Sequence, residues 1–260
     1  MRVMPEVSFT NSAGRVAAQF GLAATSYPQH ARLQRHAAAR LMAWLPRQLP
    51  WLVDLGTGPL WYREQLQRHC DQLLALDLSW SMLAQASAQG VDAVQGDATL
   101  LPLLPQSLDA LYSSLMLQWC AKPELVLQQV AHALKPGAVA VFSTLLQGTL
   151  TELEHAWAQL DSYRHINEFL PLQYFQQLRP GLDAMGVTVT LESELVQLPY
   201  ATVRELAREL KGLGANTVLG ERRHGLTGKG YWQQLEQNYP RRHGELLASY
   251  QLLYIRLERR

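Results

Sequence analysis

Apolar residues in this chain follow two periods that alternate. Short, mainly apolar runs at residues 51–55, 72–78, 108–114 and 138–144, joined in the series by the more polar Asp92-Ala-Val-Gln-Gly-Asp97, are separated by stretches with apolar positions every three or four residues. The short runs read as strands buried on both faces, and the wider spacing reads as one face of a helix. Pro123 opens one such helix, with Leu127, Val130 and Leu134 on its inner face, and Lys135-Pro136-Gly137 is expected to stop it. Ser79 is placed to cap another, carrying Met82, Leu83 and Ala86 and ending at Gly90. A third is expected over residues 61–69. Upstream, Val16 and Phe20, then Leu33, Ala37, Leu41 and Trp44, predict two helices joined near Ser26-Tyr27-Pro28, the second closed by Pro46 and Pro50. Five strands alternating with helices predict a parallel, doubly wound sheet.

Beyond residue 150 the pattern changes. Helices are expected at residues 151–160, 172–178, 202–213 and 231–238, a strand or bent pair at 187–198, and a last sheet strand at 246–257. Residues 212–230 are rich in glycine.

The first strand runs straight into Asp54-Leu55-Gly56-Thr57-Gly58. A strand stopped by two spaced glycines makes a tight turn whose backbone a ligand can approach closely, because no Cβ stands in the way. The second strand ends at Asp77, a little over 20 residues on, the separation at which α/β cofactor folds place a carboxylate on ribose hydroxyls. Asp97 ends the third. Three carboxylates at successive strand ends lie where open α/β sheets bind ligands.

Bulk properties narrow the classes. With 48% apolar and 17% charged residues the chain is a core-forming one, and a formal net charge of +1 gives no field favouring nucleic acid or membrane. Cys70 and Cys120 make no disulfide framework, and there is no leader-like start and no apolar run long enough to span a bilayer. A cytoplasmic location is expected. There is no metal-ligand spacing among the eight histidines, no Ser-His-Asp set and no phosphate-binding Walker loop; no metal is expected.

The Asp54-x-Gly56-x-Gly58 turn resembles the first motif of class I S-adenosylmethionine (SAM) methyltransferases, with Leu60 where a third glycine usually stands. Asp77, Gly96-Asp97-Ala98 and Lys135-Pro136-Gly137 resemble that family's later motifs, while Asp77-Leu78-Ser79-x-x-Met82-Leu83-x-Gln85-Ala86 belongs to the narrower resemblance that follows. A narrower resemblance extends over nearly the whole chain. Phe20…Tyr27…His30-Ala31…Leu33-Gln34, Leu117-Gln118-Trp119-Cys120, the segment from Phe142 to Leu153 and Leu210-Lys211-Gly212-x-Gly214-Ala215 resemble the malonyl-acyl-carrier-protein O-methyltransferases of biotin synthesis.

The resemblance implies a Rossmann-like α/β fold with a seven-stranded, mostly parallel sheet and a helical cap. The whole chain would form one methyltransferase domain, its core at residues 45–200 and 246–260 and its cap at 12–44 and 201–245. It implies SAM as methyl donor, held by Asp54, Gly56, Thr57, Gly58, Asp77, Leu78, Met82, Gly96, Asp97 and Ala98, and malonyl-acyl-carrier protein as partner. On the acceptor side it points to Tyr27, His30, Gln118, Trp119 and Lys211, with Arg222 an alternative cation. A carboxylate acceptor is already ionised near neutral pH, so the reaction asks for alignment and not for a general base.

Arg222-Arg223-His224 and Arg241-Arg242-His243 are short basic clusters, each a solvated surface or a docking point for an acidic carrier. Leu60 leaves alternatives open. Pointing inward it would crowd the methionine end of the cofactor; pointing into the helix packing it would be tolerated. The rival readings are another small-molecule carboxyl methyltransferase and a non-catalytic carrier-binding module disabled at Leu60.

Overall fold

The computed structural model describes residues 31–212 and 228–260. Its centre is a single sheet whose strands run β3-β2-β1-β4-β5-β8-β6, with a two-residue strand, β7 (Arg241–Arg242), paired to β8. The first five are β1 (Leu49–Leu55), β2 (Cys70–Asp77), β3 (Asp92–Gln95), β4 (Leu108–Ser114) and β5 (Leu134–Leu145). These five are mutually parallel. The long β8 (Glu245–Arg259) lies antiparallel to both β5 and β6 (Val187–Tyr200). The seven-strand path with helices on both faces is the expected Rossmann-like methyltransferase architecture.

Two apolar cores, one on each face, follow from the two-residue side-chain period of the strands. Leu52, Ala110, Tyr112, Val139, Val141, Leu252 and Tyr254 belong to one. Val53, Leu111, Ala140, Phe142, Leu253 and Ile255 belong to the other. The first core takes helices α1 (Arg32–Met42), α2 (Arg63–Gln67), α3 (Trp80–Ala88) and α5 (Thr151–Ala158), and also α7 (Val203–Gly212) and α8 (Lys229–Asn238). The second takes α4 (Pro123–Ala133) and α6 (Leu172–Ala184). In α6, Phe175 and Leu182 are buried two turns apart, and this spacing carries the helix through Pro180, past the end that its sequence suggests.

Two proline readings are corrected by strand pairing. Pro50 does not close a helix: it sits inside β1, between the paired residues Leu49 and Trp51. It is near the strand's start, where a missing N–H is tolerated. Lys135-Pro136-Gly137 likewise falls within β5, where the register with β4 slips between Leu108 and Ala110 and Gly137 takes φ +79°. The turn became a bulge because the strand begins at Leu134, before it. The 187–198 segment is one continuous strand, paired to β8 along its whole length.

Helix α1 is tied to the antiparallel end of the sheet. Arg40 reaches Glu192 at 2.7 Å and His36 reaches Glu194 at 3.0 Å. Such half-exposed pairs add little energy but fix direction. At its start, Arg32 donates from Nε and Nη2 to Glu209 of α7, at 3.1 and 3.0 Å. Glu209 is almost fully buried and also accepts from the Tyr200 hydroxyl. Tyr27, His30, Arg222 and Arg223 lie outside the described residues.

Candidate active site

In a sheet whose order reverses between β1 and β4, the crevice for a ligand opens beyond the carboxyl ends of those strands. A cavity of about 1460 Å3 lies there, lined by Gly56, Gly58, Asp77, Leu78, Met82, Gly96, Asp97 and Ala98, with Met116, Gln118 and Trp119 on the β4 side. Its glycine turn is locked by backbone bonds: Gly56 N–H donates to Leu76 O at 2.7 Å and Leu60 N–H to Thr57 O at 3.2 Å. Gly56 takes φ +71°, and a Cβ there would stand 2.4 Å from Met116 Cγ, so no larger residue fits. Gly58, at φ +55°, has nothing within 4 Å of where its Cβ would be. Its bare backbone borders open space, which is the cradle that a cofactor requires.

Asp77 joins this turn to the next loop. Its Oδ2 accepts from Gly58 N–H at 2.9 Å and its Oδ1 from Ser79 N–H at 2.8 Å. Depth in the fold pushes its carboxyl up, opposed by the N–H groups of Ser79, Gly58 and Leu78. Ser79 precedes α3 as expected, but it makes no side-chain cap; its backbone N–H is held by Asp77. Asp97 caps the short turn Ala98–Leu100, its Oδ1 accepting from Thr99 N–H at 2.8 Å and Thr99 Oγ1 at 2.7 Å.

Asp54 and Thr57 are not among the residues that line the cavity. Both are buried, and Thr57 Oγ1 donates to Asp54 Oδ2 at 2.6 Å. Asp54 is pushed up to about 7 by burial and the nearby Asp77 charge, against the Thr57 bond. Their place is under the turn, shaping it. Lys211 is a correction of another kind: among the described residues it is exposed and lines neither the main cavity nor the chamber beside it, while its neighbour Leu210 faces inward.

The Leu60 alternatives are resolved by its backbone. At φ +52° it adopts the left-handed conformation that glycine favours, and its side chain is buried in the core with Leu66 and Leu83. It does not border the cavity. Leu60→Gly should therefore leave SAM affinity unchanged within about twofold. Relief of the left-handed strain returns roughly 1–2 kcal/mol, whereas losing a buried leucine costs about 2–5 kcal/mol. A lower melting temperature with unaltered calorimetric SAM binding is expected; clearly tighter binding would contradict this placement.

Beside the main cavity lies a smaller chamber of about 230 Å3, sharing with it Leu115, Gln118, Trp119, Leu145, Ile166, Asn167 and Phe169. Gln118 is pinned at the junction: its Nε2 donates to Leu115 O at 2.7 Å and its Oε1 accepts from Thr144 Oγ1 at 3.2 Å. The chamber's remaining wall comes from α1, α5, α7, α8, β8 and the loop after α5, including Gln34, Trp157, His165, Leu210 and Tyr250. Sequence reasoning missed His165; the signal was its spacing of four from Asp161, which it reaches through Nε2 at 2.8 Å. Among the described residues there is no group of three His, Cys, Asp or Glu side chains placed to hold a metal.

The comparisons with known proteins agree with this geometry. A methyltransferase domain family model matches residues 53–142, the strands and turns that build the main cavity. The chain is 36% identical to a malonyl-acyl-carrier-protein O-methyltransferase of Erwinia billingiae, over 92% of this chain and 94% of that one. The Yersinia pestis protein of the same name is 34% identical over 92% of this chain and 89% of its own. The chain belongs to the class I SAM-dependent methyltransferases. Within that superfamily it is a homologue, at moderate identity, of the malonyl-acyl-carrier-protein enzymes. It is also 37% identical over 93% of its length to the biotin biosynthesis bifunctional protein BioHC of Cellvibrio japonicus, of which it spans 49%. In fold, this methyltransferase matches the YcgJ protein of Bacillus subtilis at a TM-score of 0.60 and 14% identity, over 87% of this chain and 99% of that one.

Proposed function

We propose that this methyltransferase transfers the methyl group of SAM to the free carboxylate of malonyl-acyl-carrier protein, giving the methyl ester used in biotin synthesis. The observation that carries the reading is the extent of the homology. It covers more than nine-tenths of both chains and so includes the helices that wall the side chamber, far outside the 53–142 cofactor core.

The residues present fit SAM. Asp77 would accept from the ribose hydroxyls, the Gly56–Gly58 turn would take the methionine end, and Asp97 with Ala98 would meet the adenine edge. Leu78 and Met82 supply apolar wall. When bound, SAM supplies an electrophilic methyl carbon on a sulfonium, so the acceptor oxygen takes the methyl as sulfur keeps the electron pair of the broken bond. The protein's part is to align the acceptor and exclude water. Gln118 and Trp119 stand at the junction of the two cavities and would flank the reacting groups. Burial of Leu60 in the core removes the feature that suggested a disabled binding module.

Initial rates of S-adenosylhomocysteine release should rank malonyl-acyl-carrier protein above malonyl-coenzyme A, and both above free malonate. Free malonate or another diacid reacting as fast as the carrier-bound form would replace this reading with that of a small-molecule carboxyl methyltransferase.

A further inference from the structure

At the side chamber stands a polar cluster, around His165, that the cofactor does not need. His165 lies in its wall, its ring stacked on Trp157 with centroids 3.8 Å apart and 9° between planes. Nε2 faces Asp161 Oδ1, and the Tyr231 hydroxyl of α8 donates to the other oxygen of Asp161. Side chains of His165 and Asp161 are 16% and 15% exposed, so the pair is sheltered but not sealed. Asp161 is held below the usual carboxylate range: partial burial would raise it, but the hydrogen bonds from Tyr231 and His165 outweigh that.

Charge around the chamber selects what can enter. Among the described residues that line it, His165 is the one side chain able to carry positive charge. The carboxylates nearby are already matched, Glu209 by Arg32 and Tyr200, and Asp161 by His165 and Tyr231. The Tyr250 hydroxyl lies against that of Tyr200 at 3.3 Å. Among the described residues of the lining, an incoming anion therefore meets no unpaired carboxylate. The volume, about 230 Å3, suits a small acyl group, since a water occupies about 30 Å3 in the liquid.

We propose that His165 is the residue that holds the acceptor's carboxylate, donating from Nδ1 to one of its oxygens and leaving the other to react. This rests on the reading of the protein as a methyltransferase of acyl-linked carboxylates. With Nε2–H given to Asp161, Nδ1 can donate only in the imidazolium form, and Asp161 acts as the positioning residue that orients the ring. A single charge-assisted bond holds the carboxylate without engaging its reacting oxygen. No proton moves in the transfer.

The test is equilibrium binding of malonyl-pantetheine and acetyl-pantetheine to the full chain without SAM. The two differ by the carboxylate alone. The wild type should prefer the malonyl form by about tenfold or more, and His165→Gln should abolish that preference while acetyl-pantetheine and SAM still bind as before. A preference retained in His165→Gln would overturn the role of His165 and leave the proposed function standing. A wild type that does not distinguish the two ligands would overturn both.

Discussion

Asp77→Asn is expected to weaken SAM binding about a hundredfold, near 3 kcal/mol, as the loss of charge-assisted bonds to two ribose hydroxyls. The substitution is close to isosteric, so it removes the charge while keeping the side chain's shape. It also sets an amide NH2 against either Gly58 N–H or Ser79 N–H, both of which Asp77 now accepts. One donor would then face another donor, loosening the glycine turn in the free protein. Calorimetric titration with SAM, alongside thermal melting of the free protein, separates these parts. Binding within a fewfold of wild type would remove Asp77 from the ribose site.

Asp54→Asn should act in the opposite direction on stability. Burial and the Asp77 charge raise the Asp54 carboxyl to about 7, from an ordinary 3.8. Between those values the folded protein keeps a proton that the unfolded chain has released. The native state therefore loses stability as pH climbs from about 4 to about 7, by on the order of 4 kcal/mol in all. Asparagine carries no such penalty and can still accept from Thr57 Oγ1. The melting temperature of Asp54→Asn should thus match wild type near pH 4 and exceed it by several degrees at pH 8. A gap that stays constant with pH would mean that the buried carboxylate is not under the strain described.

Most of the sheet can be read from the sequence because parallel strands buried on both faces appear as mainly apolar runs; the half-exposed β3 is marked instead by the Gly96-Asp97 that ends it. The glycine turn and the acidic strand ends are equally legible, being local. Other features depended on distant partners. Whether Pro50 and Pro136 ended helices or entered strands was decided by pairing with β2 and β4. The direction of Leu60 turned on one backbone angle, since φ +52° swings its side chain into the core and away from the cavity. Lys211 was misplaced by one residue's worth of helix: Leu206 and Leu210 face inward, and the next position is rotated about 100° toward solvent. The side chamber as a whole was not legible: Gln34 and Gln118 stand in recognisable motifs, but that they meet Trp157, His165 and Tyr250 around one space is decided only in the fold.

Mass spectrometry of malonyl-acyl-carrier protein incubated with this methyltransferase tests the central claim most directly. The malonyl group should gain the mass of one methylene when SAM is present and stay unchanged when it is left out. An unchanged malonyl group despite demonstrated SAM binding would contradict the assignment of this acceptor.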